Sequence, residues 1–477
     1  MNALFLNPPF LPKFSRSQRS PAVTRSGTLY YPMWLSYAAA TTERSGHEIH
    51  LIDAPAAGIQ ANDISGIVPW SPQLIVLETS TPSLRNDLRV AELLSSQWPD
   101  SHITMVGPHV TALPDDALEF SCIDSVMRGE YDSTAPDLAD SIDGGTSIEN
   151  VNGLSWSSGN EIIHNADRAY INDLDTLPFV SRIYRRFLNP EDYFNPNALY
   201  PMVTIVSGRG CPYGCSFCVY PHTMTGLKPR LRSTTNVVDE IEEIIQSFPG
   251  IRSIFFEDDT LTSVKHHARE LSSEMIRRGI TISWTANARA DVDAETLTIM
   301  SRANLRCLCV GFESASEAIL SDMKKRLRPS DALRFMKDAR AAGVLVHGCF
   351  MVGMPGETIE TMNATLDWAI RLNPDTAQFY PLMVYPGSPA YDQLRQSGHL
   401  TTDDYSEWLS PEGYHTAITR TDSLSPGDLV RFCGKARRRF YLRPRYILRK
   451  LVQAWNDEGE RIRILRAFNT FWRHIFS

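Results

Sequence analysis

The chain has 477 residues, of which 43% are hydrophobic and 21% charged, and its formal net charge is -8 at pH 7. This length and apolar content suit two or three domains with their own cores, and the acidic balance gives no indication of a nucleic-acid partner, whose binding domains are basic. The chain contains no run of eighteen apolar residues, so no transmembrane segment is predicted. The first residues also lack the pattern of a signal peptide, and we therefore expect a cytoplasmic protein.

Residues 1–140 alternate short apolar strands with helices, which predicts a parallel, doubly wound sheet. The predicted strands are 4–6, 49–53, 74–77 and 103–107, and the predicted helices are 34–45 and 87–97. Sheets of this kind bind ligands at the carboxyl ends of their strands. A dinucleotide is disfavoured, because prolines follow the first strand where a G-x-G-x-x-G turn would be needed.

Residues 141–195 carry mostly turn signals and two short strand patterns, so we predict a linker with a small β-ribbon. From 196 to 400 the alternation of strand and helix returns six times, beginning with the β-branched run 201–207. Repeated βα units place their chemistry at the carboxyl ends of the strands, as α/β barrels do.

Three cysteines, Cys211, Cys215 and Cys218, lie within eight residues directly after the first of these strands. This spacing lets three thiolates bind one iron-sulfur cluster and leaves one iron of a four-iron cluster open. A structural zinc ion normally takes four protein ligands, and only His222 is near enough in sequence to be considered as a fourth. A disulfide between two of these cysteines is a poorer interpretation than a cluster, because disulfides rarely persist in a reducing compartment. The pattern favours a cluster, with zinc as the alternative.

The segment from Cys211 to Cys218, with aromatic Phe217 before the last cysteine, resembles the CxxxCxxC signature of radical S-adenosylmethionine (SAM) enzymes. The resemblance implies a partial barrel of six βα units and a 4Fe-4S cluster whose open iron binds SAM. It also implies that an external electron donor, flavodoxin or ferredoxin, drives cleavage of SAM to methionine and a 5′-deoxyadenosyl radical.

The same resemblance implies that residues at the strand ends contact SAM. They are Tyr220, Glu257, Asp258, Asp259, Arg289, Glu313, Gly353, Gly356 and Glu357. The three consecutive acidic residues would bind the amino group or ribose, Arg289 and Glu313 the carboxylate and ribose, and the glycine loop would approach the adenine. As alternatives, each of the three acidic residues could cap a helix, and the tyrosine could serve packing alone.

Residues 1–140 resemble the cobalamin-binding domain that is fused to one subgroup of radical SAM enzymes, through segments 6–9, 46–53 and 106–111. The implied cobalamin contacts are Asn7, Pro8, Thr79, Ser80, Gly107 and His109. The D-x-H-x-x-G motif, which supplies a histidine to the lower face of cobalt in many corrinoid proteins, is absent. A Rossmann domain that binds no corrinoid is therefore the alternative.

The tail, residues 401–477, interleaves cations with aromatic residues in 435–446 and again in 461–476. We predict helices that close the barrel, with Lys and Arg stems covering apolar surface and their charges in water. The alternative is a basic surface for peripheral contact with an anionic membrane or a lipid substrate.

These patterns predict an α/β protein with an N-terminal Rossmann-like cobalamin-binding domain (1–140), a partial (β/α)6 radical SAM barrel (196–400) and a helical C-terminal region (401–477). Segments 30–35, 51–55, 79–83 and 177–180 resemble proteins of hopanoid biosynthesis. The predicted function is methyl transfer to an unactivated carbon of a small-molecule or lipid-linked substrate. Two alternatives are radical rearrangement or cyclisation of a polyol or sugar, and a non-catalytic metal- or cluster-binding protein.

Overall fold

The first third of the chain forms a seven-stranded sheet. The computed structural model describes residues 1–159, 161–456 and 461. The strands of this sheet, in the spatial order β2-β1-β3-β4-β5-β6-β7, are β1 (Asn2–Asn7), β2 (Glu48–Asp53), β3 (Leu74–Glu78), β4 (His102–Val106), β5 (Ser125–Met127), β6 (Leu154–Ser158) and β7 (Glu161–His164). The first five are parallel, and every residue of β3 is buried, as expected of a central strand covered on both faces.

The predicted β-ribbon is present, but it is not a separate unit within a linker. Strands β6 and β7 form a hairpin, and β6 pairs antiparallel with β5, so the ribbon extends the first sheet. The turn composition of residues 141–195 predicted the hairpin but not its partner, because the sequence does not specify which sheet edge a short strand joins.

The second sheet is an open barrel of six parallel strands. In the order β8-β11-β12-β13-β14-β15 they are β8 (Met202–Ile205), β11 (Ser253–Phe256), β12 (Ser283–Ala288), β13 (Leu305–Glu313), β14 (Leu345–Val352) and β15 (Thr376–Pro381), and the edge strands β8 and β15 do not pair with each other. A short ribbon of β9 (Gly208–Arg209) and β10 (Arg230–Leu231) flanks the cysteine loop. The predicted six-unit partial barrel and the α/β class are confirmed.

Helices cover both sheets. They are α1 (Met33–Arg44), α2 (Ala54–Ala57), α3 (Ile64–Ile67), α4 (Leu84–Gln97), α5 (Pro108–Ala112), α6 (Asp115–Leu118), α7 (Thr134–Asp143), α8 (Ser181–Phe187), α9 (Tyr220–Thr223), α10 (Thr234–Ser247), α11 (Lys265–Arg277), α12 (Ala294–Arg302), α13 (Glu317–Asp322), α14 (Pro329–Ala341), α15 (Ile359–Leu372), α16 (Pro389–Gln396), α17 (Pro426–Tyr441) and α18 (Pro444–Asn456). No helix in the described part of the chain is long and apolar enough to cross a membrane.

The C-terminal helices lie beside the last barrel strand. Tyr441 at the end of α17 donates from its hydroxyl to the Ala377 carbonyl of β15 at 2.7 Å and accepts from the Ala377 amide at 2.8 Å, which fixes α17 against this edge strand. The helix α18 follows directly. Of the second predicted basic and aromatic run, residues 462–476 lie outside the described part of the chain.

Candidate active site between the two sheets

The cysteine loop is held in place by backbone hydrogen bonds and by glycine. The Cys211 amide donates to the Gly226 carbonyl at 3.1 Å, and the Gly210 amide donates to the Asp259 carboxylate at 3.0 Å. Gly210 has a φ of +92°, and a side-chain Cβ there would lie 2.3 Å from the Lys228 carbonyl oxygen. Only glycine satisfies this backbone position, so the entry into the loop is strongly specified.

The thiols of the loop are buried or half-buried, and this arrangement fits a cluster better than a zinc ion. Burial raises the pKa of the Cys211 and Cys218 thiols, so a bound metal centre must replace their protons for them to act as thiolates. In the described residues no group of three or more His, Cys, Asp or Glu side chains is arranged around one ion. A cluster differs from zinc here, because each thiolate binds a different iron and the three sulfurs need not converge on one atom.

Two of the acidic residues after β11 hold the cysteine loop. Asp258 accepts from the Ser207 hydroxyl at 2.6 Å and the Ser207 amide at 3.0 Å, while Asp259 accepts from the Gly210 amide. The structure therefore brings these predicted SAM contacts to the cysteines. The carboxylate of Asp258 is hydrogen-bonded to Ser207, so it positions the segment that leads into the cysteine loop. The motif alone did not indicate this role.

Arg19, which the sequence patterns did not single out, joins the first domain to this acidic group. It lies in the loop after β1, and its guanidinium donates to Glu257 at 2.5 Å and lies 3.6 Å from Asp259. It also stacks over the ring of Tyr220 with 5.7 Å to the centroid. Burial disfavours the charge of Arg19, but the two carboxylates outweigh this and raise its pKa. A fixed positive charge thus stands between the two sheets.

The remaining predicted SAM contacts surround the same end of the barrel, and two of them, Arg289 and Glu313, contact Lys325. Arg289 stacks on Tyr213 of the cysteine loop at 3.6 Å and donates to the Lys325 carbonyl at 2.7 Å. Glu313, with a left-handed φ of +61°, accepts from the Lys325 ammonium at 2.8 Å. Lys325 was not predicted, because it comes from the loop after α13 and not from a strand end.

The predicted adenine loop is built around its own glutamate. The Glu357 carboxylate accepts from the amides of Gly353 and Met354, and burial raises its pKa to about 7. Gly353 has a φ of +102°, which favours glycine, and a Cβ there would lie 2.6 Å from a methyl group of the Leu429 side chain on α17. Gly356 has a φ of +77° with open space around it.

The predicted cobalamin contacts of the first sheet meet around a buried arginine that the sequence did not indicate. Arg16 donates to the Asn7 side chain at 2.7 Å, to the Pro8 carbonyl at 2.5 Å and to Asp87 at 2.5 Å. Thr79 donates to the same Asp87 at 2.9 Å, and Ser80 bonds to Ser83. These loops at the carboxyl edge of the sheet are therefore preorganised as one unit.

The neighbouring loop after β4 packs directly on this unit. At Gly107, φ is +126° and a Cβ would lie 2.4 Å from the Thr79 carbonyl oxygen, so glycine is required for the close approach of the two strand ends. The His109 ring bonds to Thr81 at 3.1 Å and to Asp116 at 3.2 Å. His109 is therefore held by two partners within the first domain.

Glu78, at the end of β3, has a buried oxygen that suits a ligand. Ser17 donates to Oε1 at 2.6 Å, while Oε2 has no hydrogen-bond partner among the described residues. Burial, and after it the nearby charge of Glu78, raises the pKa of Tyr131 and of Tyr220, so this carboxylate lies at the boundary between the two sheets. A corrin carries amide side chains that donate hydrogen bonds, so this edge fits cobalamin.

Glu78 should make the apoprotein less stable as the pH rises. Burial raises its pKa to about 7 from an ordinary 4.5, so the folded state binds the proton more tightly than the unfolded state. The bound proton contributes up to roughly 3 kcal/mol to the free energy of unfolding. This contribution is fully present below pH 4.5 and is lost as the pH rises to about 7. Urea unfolding of Glu78→Gln should show a shallower fall over this window.

The matched control for this measurement is Glu119→Gln, since Glu119 is exposed. Its unfolding free energy should follow that of the wild-type chain at every pH. If the free energy of unfolding of Glu78→Gln fell with pH as steeply as that of the wild type, the raised pKa of Glu78 would be contradicted.

Two family models match the two halves of the site. The model described as Radical SAM superfamily matches residues 205–369, and the one described as B12 binding domain matches residues 19–139. Together the two models support a cobalamin-dependent radical SAM family for this chain. Within this family, the first match implies SAM and a 4Fe-4S cluster and the second implies cobalamin, so all three predicted cofactors are confirmed.

Several relatives in this family are methyltransferases by name. The chain is 28% identical to uncharacterized methyltransferase PH0819 of Pyrococcus horikoshii, over 90% of the chain and 91% of that protein. It is 25% identical to the hopanoid C-3 methylase of Methylococcus capsulatus, over 78% and 70%, in agreement with the predicted resemblance. It is 26% identical to an anaerobic magnesium-protoporphyrin IX monomethyl ester cyclase of Cereibacter sphaeroides, over 86% and 67%.

A solved structure of the family supports the fold. The radical SAM methyltransferase TsrM from Kitasatospora setae, with tryptophan substrate and a SAM analogue bound, superposes with a TM-score of 0.70. It is 18% identical and the match covers 90% of this chain and 88% of that chain. At this identity the similarity concerns the arrangement of the domains and not the substrate.

Proposed function

We propose that this enzyme transfers a methyl group from SAM, by way of cobalamin, to an unactivated carbon of a small-molecule or lipid-linked substrate. The observation that carries the proposal is the contact of Arg19, from the loop after β1, with Glu257 and Asp259 beside the cysteine loop. The edge that would hold cobalamin and the edge that would hold the cluster and SAM are thus adjacent. The methyltransferase names of several relatives support the same reaction.

The chain's own residues would bind and orient the cofactors. Cys211, Cys215 and Cys218 would hold the cluster, and Glu78 with the loops after β1, β3 and β4 would hold cobalamin. When bound, the cluster and SAM supply a radical that removes a hydrogen atom, and cobalamin supplies the methyl group that replaces it. Tyr220 and Arg19 would line the space between them and exclude water. An external flavodoxin or ferredoxin would supply electrons, and the eight free cysteines fit a reducing cytoplasm.

Isotope labelling tests the proposal. The enzyme is reconstituted anaerobically with iron, sulfide and hydroxocobalamin, then incubated with reductant and SAM that carries a trideuterated methyl group. We expect the extracted corrin to gain this group. A cell extract added to the wild-type enzyme, but not one added to Cys215→Ala, should then contain a small molecule or lipid with the labelled methyl. Cleavage of SAM to 5′-deoxyadenosine with an unlabelled corrin would contradict methyl transfer and favour rearrangement or cyclisation.

A further inference from the structure

The last described helix, α18, has its apolar side turned away from the protein. Its exposed apolar residues recur at helical spacing, and the exposed fractions of Leu448, Leu451 and Trp455 are 64%, 62% and 88%. Ile447 and Val452 extend the same stripe. We call these five residues the α18 stripe. A surface helix normally buries such a stripe and exposes its polar face.

The polar side of α18 is the side that contacts the barrel. Arg443 donates to the Ile370 carbonyl at 3.1 Å, Tyr446 donates to the Asp375 carbonyl at 2.8 Å, and Lys450 is only 9% exposed. The predicted arrangement, with cations in solvent and apolar surface covered, is therefore reversed on this helix. The hydrogen bond from Arg443, directly before the helix, to α15 and the one from Tyr446 to the loop before β15 fix the orientation of α18, so the stripe faces outward.

The charge of this part of the chain indicates what the stripe would meet. Residues 431–477 contain thirteen Arg and Lys against three Asp and Glu, a net charge of +10, whereas the rest of the chain has a net charge of -18. Arg445 shares the exposed side of α18 with the stripe. An apolar stripe that ends in tryptophan, within a strongly basic segment, has the composition of a helix that lies in the interface of an anionic membrane.

We propose that α18 docks on an anionic membrane surface, with the α18 stripe in the interface and the surrounding cations near the lipid phosphates. The attraction has two parts: apolar burial, which is insensitive to salt, and electrostatic attraction, which salt screens. The surface lies beside the amino end of β15, remote from the cysteine loop. Docking there leaves the candidate active site open to its cofactors, so catalysis and membrane contact are separable.

Sedimentation with lipid vesicles tests the proposal on the full-length, reconstituted protein. We expect about tenfold more protein to sediment with vesicles of phosphatidylcholine and phosphatidylglycerol than with phosphatidylcholine alone, and less as salt increases. The double variant Leu448→Glu/Leu451→Glu should lose this binding but still cleave SAM. The matched control is Leu333→Glu, a leucine that is 40% exposed on α14, and it should bind as the wild type does.

Two results would overturn the proposal. If the wild-type chain stays in the supernatant with anionic vesicles, the stripe does not meet a membrane and is covered by something else, such as a second copy of the chain. If the double variant binds anionic vesicles as tightly as the wild type, the stripe has no part in the contact. A variant that misfolds is recognised by its loss of SAM cleavage, and Trp455→Ser then serves as the milder replacement.

Discussion

Replacing Cys215 with alanine should reduce SAM cleavage to the level of an enzyme-free control while the protein remains folded. Cys215 lies in a loop that other residues hold, because Asp259 bonds to Gly210 and the Cys211 amide bonds to Gly226. Removing one thiol takes away one of three ligands of the cluster without removing these supports. Circular dichroism should be unchanged, and the iron content and 5′-deoxyadenosine yield should fall.

Cys122→Ala is the matched control, because Cys122 is a free, half-buried cysteine remote from the loop. It should keep the cluster and the cleavage activity. Unfolding of Cys215→Ala on loss of metal would instead support a structural metal site, which is the non-catalytic alternative. Equal activity of both variants would contradict the assignment of the cluster ligands.

The second large effect is expected at Arg209, which joins the two domains just before the cysteine loop. Its guanidinium donates to Glu130 at 2.6 Å and to Asp132 at 2.9 and 3.0 Å, and it lies over the ring of Trp34 at 4.6 Å. The side chains of the ion pairs are 0–2% exposed. Arg209→Met would leave the buried Asp132 without its ion-pair partner, while Glu130 would keep Arg230 at 2.8 Å, and it should destabilise the protein by about 3–5 kcal/mol.

Urea unfolding measures this loss, and Arg182→Met provides the comparison. Arg182 makes a two-bond ion pair with Glu243, but its side chain is 61% exposed, so its replacement should cost less than about 1 kcal/mol. The cluster content of Arg209→Met should also fall, because the displaced strand β9 leads into the loop. Similar small effects of both variants would show that the buried ion pairs do not anchor the domains.

The local features of this protein were predictable because they repeat along the chain. The alternation of apolar strands and amphipathic helices predicts both parallel sheets, and three closely spaced cysteines after a strand predict the cluster loop. The glycines of these loops can be recognised in the sequence, but the residues that they approach are known only from the structure. Gly353 is predicted to approach a cofactor, and the structure adds that it lies against the side chain of Leu429 on α17.

Contacts between distant segments were not predictable from such patterns. Arg19 and Glu257 are 238 residues apart in sequence, and nothing in the composition around Arg19 marks it as a partner of the barrel. Glu78 directly precedes two predicted contacts, Thr79 and Ser80, yet only the structure shows its unpartnered oxygen. The orientation of α18 was also hidden, because periodicity shows which residues share a face and not which face meets the barrel.

Corrinoid retention shows whether cobalamin binds beside the cluster loop. The chain is reconstituted anaerobically with iron and sulfide, mixed with hydroxocobalamin and SAM and desalted, and its absorbance spectrum and 5′-deoxyadenosine yield are recorded. We expect close to one equivalent of bound cobalamin on a protein that cleaves SAM, and we expect Cys215→Ala to keep the cobalamin and lose the cleavage. A chain that cleaves SAM but retains no cobalamin would contradict a shared site between the two sheets.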